Sequence, residues 1–224
     1  FIKTPLELRH IRRAAQMADI GFLRALEVCR EGLREYELAA EIAFALRREG
    51  AADSFNFLYS GTKCSTMVLA RDKELQAGDL VLLEITPANH IRTYSAQLIR
   101  TIMLGEPPDE IASKFEILTQ AMEHSLALVK PGALSSDIAR AQNEIVAAHG
   151  YKGYCRPPYM RSRGHGFGLG RFELAEGVDI RLEAGMSFVV HTEQFFPDAG
   201  YLALGDMIIV TENGVADRFA TKRA

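Results

Sequence analysis

A histidine set between glycines is the most chemically suggestive feature of this 224-residue chain, in the segment Gly164-His165-Gly166-Phe167-Gly168. Glycine lets the backbone approach a ligand closely while the imidazole projects unhindered, and a neutral imidazole can exchange a proton near neutral pH or bind a metal. Turn punctuation alone would also explain the glycines, so the rest of the chain must decide. Arg161 and Arg163 precede the loop. A guanidinium there could clamp a substrate carboxylate through a forked hydrogen bond, although surface arginines are commoner. Further on, His191 and Glu193 alternate onto one face of a strand, where the carboxylate could orient the imidazole or simply be solvated.

The pattern of the chain predicts the elements that carry these residues. Thr4-Pro5-Leu6-Glu7 joins a capping hydroxyl, a proline at the first helical position and an acid three residues past the cap, which announces a helix. Met17, Ile20, Leu23 and Leu26 continue it at helical spacing, and Gly32 closes it. A second helix spans residues 37–48 and stops at Gly50, completing a helical hairpin. Residues 65–70, 80–86 and 94–103 read as strands, being short, apolar or β-branched, and separated by turn residues. A long helix follows from Pro107 to residue 130, then another over 136–149 closed by Gly150, and two strands at 186–191 and 207–211. The fold class is α+β, and residues 1–224 form a single domain.

The second half echoes the first at an offset of 100 residues, matching Gly32 with Gly132, Glu37 with Asp137, Leu38 with Ile138 and Gly50 with Gly150. Two related halves would leave a cleft at their junction, where ligands tend to bind.

Composition excludes several functions. With 48% hydrophobic and 25% charged residues, the chain can bury a sizeable core. The net charge of −3 and scattered Lys and Arg lack the electrostatic footprint of a nucleic-acid binder. No apolar run approaches the ~20 residues of a membrane span. Cys29, Cys64 and Cys155 are odd in number and far apart, which suggests neither disulfides nor a thiolate zinc site and fits a reducing cytoplasm. The charged start Phe1-Ile2-Lys3 is not a secretory leader, and the lack of an initiator Met implies that upstream residues are absent.

Five segments, in order, resemble the motifs of the creatinase/prolidase/methionine aminopeptidase superfamily, peptidase family M24: Gly78-Asp79-Leu80-Val81-Leu82-Leu83-Glu84, the stretch from Tyr94 to Thr101, Gly164-His165-Gly166-Phe167-Gly168, Gly185-Met186-Ser187-Phe188 and Val210-Thr211-Glu212-Asn213-Gly214. The resemblance spans nearly the whole chain. It implies the pita-bread fold, with two pseudo-symmetric halves whose helices pack on a curved antiparallel sheet, together with a homodimer and an N-terminal domain absent from this chain.

Members resembling this sequence hold two metal ions with two Asp, one His and two Glu, and activate a bridging water. Carried over residue by residue, those positions fall on Glu84, Gln97, His165, His191 and Gly205, with a loop two residues longer before Gln97 and Pro197 fixing the register of His191. The substrate-facing His expected near Ser65, Thr66 and Met67 is missing, and a second expected His is Phe172. Two divalent cations bring four positive charges and Glu84 supplies one carboxylate, while the amide of Gln97 cannot bridge cations, so a dinuclear centre is not expected.

Three readings follow. In the first, the chain is a hydrolase or lyase acting on a C–N or neighbouring bond of a small molecule, with no dinuclear metal. Creatinase, a metal-free superfamily member, sets the pattern: His165, His191 and Glu84 do the chemistry, and Gln97, Arg163 and Glu193 hold the substrate. In the second, Glu84, His165 and His191 hold a single divalent metal, the set that suits Fe(II). In the third, a non-catalytic module binds a peptide or protein. The cofactor is accordingly none or one divalent metal, and the partner a small-molecule substrate.

Overall fold

Thr4 caps the first helix as its sequence requires: its Oγ1 accepts from Glu7 N at 3.4 Å while Glu7 Oε2 accepts from Thr4 N at 2.7 Å. The computed structural model describes residues 1–91, 93–167, 171–214 and the backbone of 216–218; Gly168, the last residue of the glycine-histidine segment, lies outside them.

Helices α1 (Pro5–Val28) and α2 (Glu35–Arg48) form the first hairpin, α3 (Asp109–Leu126) and α4 (Ser135–Val146) the second. The strands are β1 (Asp53–Gly61), β2 (Leu80–Ala88), β3 (Leu98–Met103), β4 (Gly164–Gly166), β5 (Ser187–Phe196), β6 (Gly200–Val210) and β7 (Ala216–Arg218). Among the described residues they build one antiparallel sheet in the order β1-β2-β3-β6-β5-β4, with β7 added on β6. The apolar face of α1 and α2 packs Met17, Phe22, Leu38, Ile42 and Leu46 against Val81, Leu83 and Ile85 of β2. Under the other half, Met122, Leu126 and Ile138 meet Phe188, Val190, Leu204 and Ile208.

The 100-residue echo is structural. Gly32 N donates to Leu75 O and Gly132 N to Leu182 O, at 3.0 and 2.8 Å, and Leu75 N and Leu182 N return bonds to Leu33 O and Ala133 O, both at 2.8 Å. Gly32 and Gly132 share positive φ values of 84° and 89°. The same strap thus ties each helical hairpin to its half of the sheet.

Several expectations need correction. Residues 65–70 are not a strand: Val68 O accepts one bond from Leu58 N at 2.9 Å, but no ladder forms. The strand of this region is β1, a sheet-edge strand in which Asp53, Ser54, Asn56 and Ser60 interrupt the apolar pattern and so hid it. The first helix ends at Val28 rather than at Gly32, and β3 begins at Leu98 rather than at residue 94.

Candidate functional site

Strand register assembles the site. Glu84 pairs with Ile99, Ile99 with Gly205 and Gly205 with His191, so these four residues form one row across β2, β3, β6 and β5. Side chains in such a row share a face of the sheet, which puts Glu84 and His191 on the floor of one cleft. His165 on β4 pairs with Val189, two residues before His191 and on the same face. The two imidazoles meet edge to face with centroids 5.7 Å apart. Gln97 stands just before β3, two residues from Ile99, and Glu193 two residues beyond His191.

A cavity of about 530 Å³ contains Glu84, Gln97, His165, His191 and Glu193 together. Glu84, His191 and Glu193 also line an adjoining cavity of about 320 Å³ that reaches Thr66, Met67 and Tyr159. The structure therefore brings five of the six sequence-predicted site residues into one cleft.

Arg163 is the exception, and the expected substrate clamp is corrected. Its side chain is fully buried and lines neither cavity. Its guanidinium is spent on Asn143 Oδ1 at 2.8 Å, Glu193 O at 2.9 Å and Gln194 Oε1 at 2.9 Å, where it braces β5 from behind. Arg161, whose side chain is largely exposed, stands at the surface and lines both cavities. Sequence reasoning also missed Phe55, Phe57, Arg171 and Glu173, which line the larger cavity. The alternation Phe55-Asn56-Phe57 was the one available signal, and it was lost with the unrecognised edge strand.

The glycines around His165 serve packing. Gly164 adopts φ 148°, and a Cβ there would stand 2.1 Å from Val189 O, so only glycine allows β4 to lie against β5. Gly166 faces the ring of Phe172. What they provide is a close strand pairing that aims His165 beside His191.

Electrostatics divides the roles. Burial, reinforced by the Arg163 charge, pulls His191 down to about 4, so its imidazole is neutral at pH 7. Burial first and the neighbouring His191 second also lower His165. Glu84 is raised to about 7 by burial and then by the Glu193 carboxylate, against the influence of Gln97 and Thr86. Burial raises Glu193 as well. His191 Nδ1 lies 3.7 Å from Glu193 Oε1, beyond hydrogen-bond reach, and together with Gln97 Oε1 it is buried without a hydrogen-bond partner among the described residues. Unpaired buried atoms of this kind are what a bound molecule would satisfy.

The donor set does not fit two metal ions, since one carboxylate, one amide, two imidazoles and a glycine stand at the five positions named above. Among the described residues, no three His, Cys, Asp or Glu side chains converge closely enough to hold a metal ion.

Comparison with known proteins gives a consistent picture. The profile described as Metallopeptidase family M24 matches residues 9–212. An Xaa-Pro dipeptidase of Pyrococcus furiosus is 29% identical over 99% of this chain and 64% of its own length. The solved prolidase from Pyrococcus furiosus superposes with a TM-score of 0.90 at 29% identity, covering 99% of this chain and 66% of that one. The solved Xaa-Pro dipeptidase from Bacillus anthracis gives 0.89 at 31% identity, covering all of this chain and 62% of that one. The chain thus spans less than two thirds of the length of these relatives.

Proposed function

The chain belongs to metallopeptidase family M24, with the pita-bread fold, and from that premise we propose that it is a non-classical hydrolase or lyase of the family. It acts on a C–N or neighbouring bond of a small molecule without a dinuclear metal centre. The observation that carries this reading is the cross-strand row that sets Glu84 and His191 on one cleft floor with His165 beside them.

Roles follow from the chemistry of each group. A proton carrier works best when its pKa lies near the operating pH, and Glu84 meets this condition where His191 does not. Glu84 takes the proton from the attacking water or from the substrate and returns it to the leaving nitrogen. His165, more exposed than His191, assists as a second base. His191 stays neutral and contributes a ring nitrogen that bonds the substrate without charge. Gln97 Oε1 and Glu193 accept hydrogen bonds from the substrate and fix its orientation. Relatives named as Xaa-Pro dipeptidases support hydrolysis as the reaction type.

The proposal includes a homodimer acting in the cytoplasm. The family resemblance supports the dimer, and the three cysteines, all free of disulfides, support a reducing compartment. Among the described residues no helix is long and apolar enough to cross a membrane.

The test compares the purified chain with and without added Mn²⁺ on a series of Xaa-Pro dipeptides and on small amides, ureas and amidines, measuring the amine released. Turnover of a small C–N compound that survives chelation and disappears in His165→Ala and Glu84→Gln supports the proposal. Dipeptide cleavage that depends on Mn²⁺ would overturn it, as would turnover indifferent to those substitutions.

A further inference from the structure

Behind the cleft floor, between α1 and α3, lies a cavity of about 380 Å³ walled by Phe22 and Leu26 of α1, Ile102 and Met103 of β3, and Ile111 and Phe115 of α3. Its volume falls in the range of small-molecule sites and its walls are mostly apolar. The same cavity is lined by Arg100, which is only 5% exposed. Arg100 Nη1 donates to Ile99 O and Gly205 O, each at 2.8 Å, and Nη2 to Asp206 Oδ1 at 2.6 Å. Its Nε is buried and has no hydrogen-bond partner among the described residues. A buried donor left unmade is costly, and a single acceptor in the cavity would satisfy it.

Charge decides what kind of acceptor. Asp206 already neutralises Arg100, so an anion would enter an apolar space with no net positive charge to offset its desolvation. Glu116 on the cavity wall would also repel it. An uncharged acceptor meets neither objection.

We propose that this cavity is a second binding site, separate from the catalytic cleft, for an uncharged molecule with an apolar chain and one carbonyl acceptor, such as a ketone, ester or amide, bound by the Nε–H of Arg100. Arg100 links the site to the catalytic floor, because it also holds the carbonyl of Gly205, the cross-strand partner of His191. An occupant would therefore bear on the backbone beneath that imidazole.

Methionine methyl groups report the site directly. Met103 lines this cavity, whereas Met67 and Met160 line the catalytic cleft. In NMR spectra of chain labelled at its methionine methyls, titration with 2-octanone is expected to shift Met103 saturably and leave Met67 and Met160 in place. Octanoate, of similar length but anionic, is expected to bind at least tenfold more weakly. Ala112→Trp and Leu26→Trp, both at partly exposed wall positions, are each expected to abolish the Met103 shift while the fold, checked by circular dichroism, is retained. A Met103 signal unmoved up to the solubility of 2-octanone would overturn the proposal. So would a shift that persists in both Trp variants, equal binding of octanoate, or methionine signals that all move together.

Discussion

Gly205 stands directly opposite His191 on the neighbouring strand, and a Cβ added to it would lie 2.9 Å from the His191 Cβ and 3.1 Å from the Ile99 side chain. The two residues are sterically coupled, so a side chain at one position limits the other. Gly205→Ala is therefore expected to destabilise the fold by about 1–3 kcal/mol through overpacking. In a His191→Gly background the same substitution should cost less, since the nearest contact is gone. Urea denaturation of the four proteins in the cycle measures the coupling, and identical costs in both backgrounds would show that the contact is relieved elsewhere.

The pH profile should carry the signature of Glu84. Acting as a base, it is active when ionised, so kcat/KM should rise with pH and level off above about 7, with no further group titrating in that range from His191, which lies at about 4. Glu193→Gln removes a negative charge that raises Glu84, so the midpoint should move to lower pH. The linkage has the matching sign. Because the folded value lies above the ordinary 4.5, Glu84 stabilises the fold below that pH relative to neutrality, and this contribution is lost as pH rises through about 7. Glu84→Gln, which abolishes turnover, should also flatten that part of the stability curve. A midpoint unchanged by Glu193→Gln would remove Glu84 as its source.

How much of this was legible in the sequence depends on what each residue's signal rests on. Glu84, Gln97, His165 and His191 were found because motif spacing along β2, the approach to β3, β4 and β5 survives where ligand identity does not. The repeat was legible because Gly32 and Gly132 each require a positive φ that few other residues accept. Strand β1 was not, because Asp53, Ser54, Asn56 and Ser60 break up its apolar pattern. Arg163 could not be placed, since an arginine next to a glycine loop looks the same in sequence whether it points into the cleft or behind it. Only the packing of Asn143 and Gln194 around it settles the direction.

Glu35 carries a prediction about the pseudo-symmetry. Its carboxylate accepts from Ser60 N, Ser60 Oγ and Arg71 N at 2.8, 2.6 and 2.8 Å, and from the Arg71 guanidinium at 2.5 and 3.0 Å. The corresponding residue of the second half, Ser135, does its bridging with a neutral hydroxyl that accepts from Ile180 N at 3.0 Å. Burial alone would raise the pKa of Glu35, but the bonds from Arg71 and Ser60 outweigh it and hold it below the ordinary value. Its contribution is accordingly present above about 4.5 and lost as pH falls through the folded value. Glu35→Gln should cost about 3 kcal/mol at pH 7, because it removes the charge that pairs with Arg71 and replaces one of the two acceptor oxygens with an NH2 donor. The loss should shrink in acid, which urea denaturation at pH 7 and pH 3 would show.

Arg163 separates a bracing role from a binding one. If it holds β5 in place, Arg163→Lys should destabilise the protein strongly, because an ammonium cannot span Asn143, Glu193 O and Gln194 as the planar guanidinium does. A loss of about 3–5 kcal/mol is expected, the cost of breaking up a buried charged network. Catalysis should then respond through position: His191 and Glu193, which bond the substrate, sit on the braced strand, so activity should fall together with the denaturation midpoint. A substrate clamp would instead raise KM and leave the denaturation midpoint untouched. The pair of measurements therefore assigns Arg163 to the back of the strand or to the cleft, and the burial of its entire side chain predicts the first outcome.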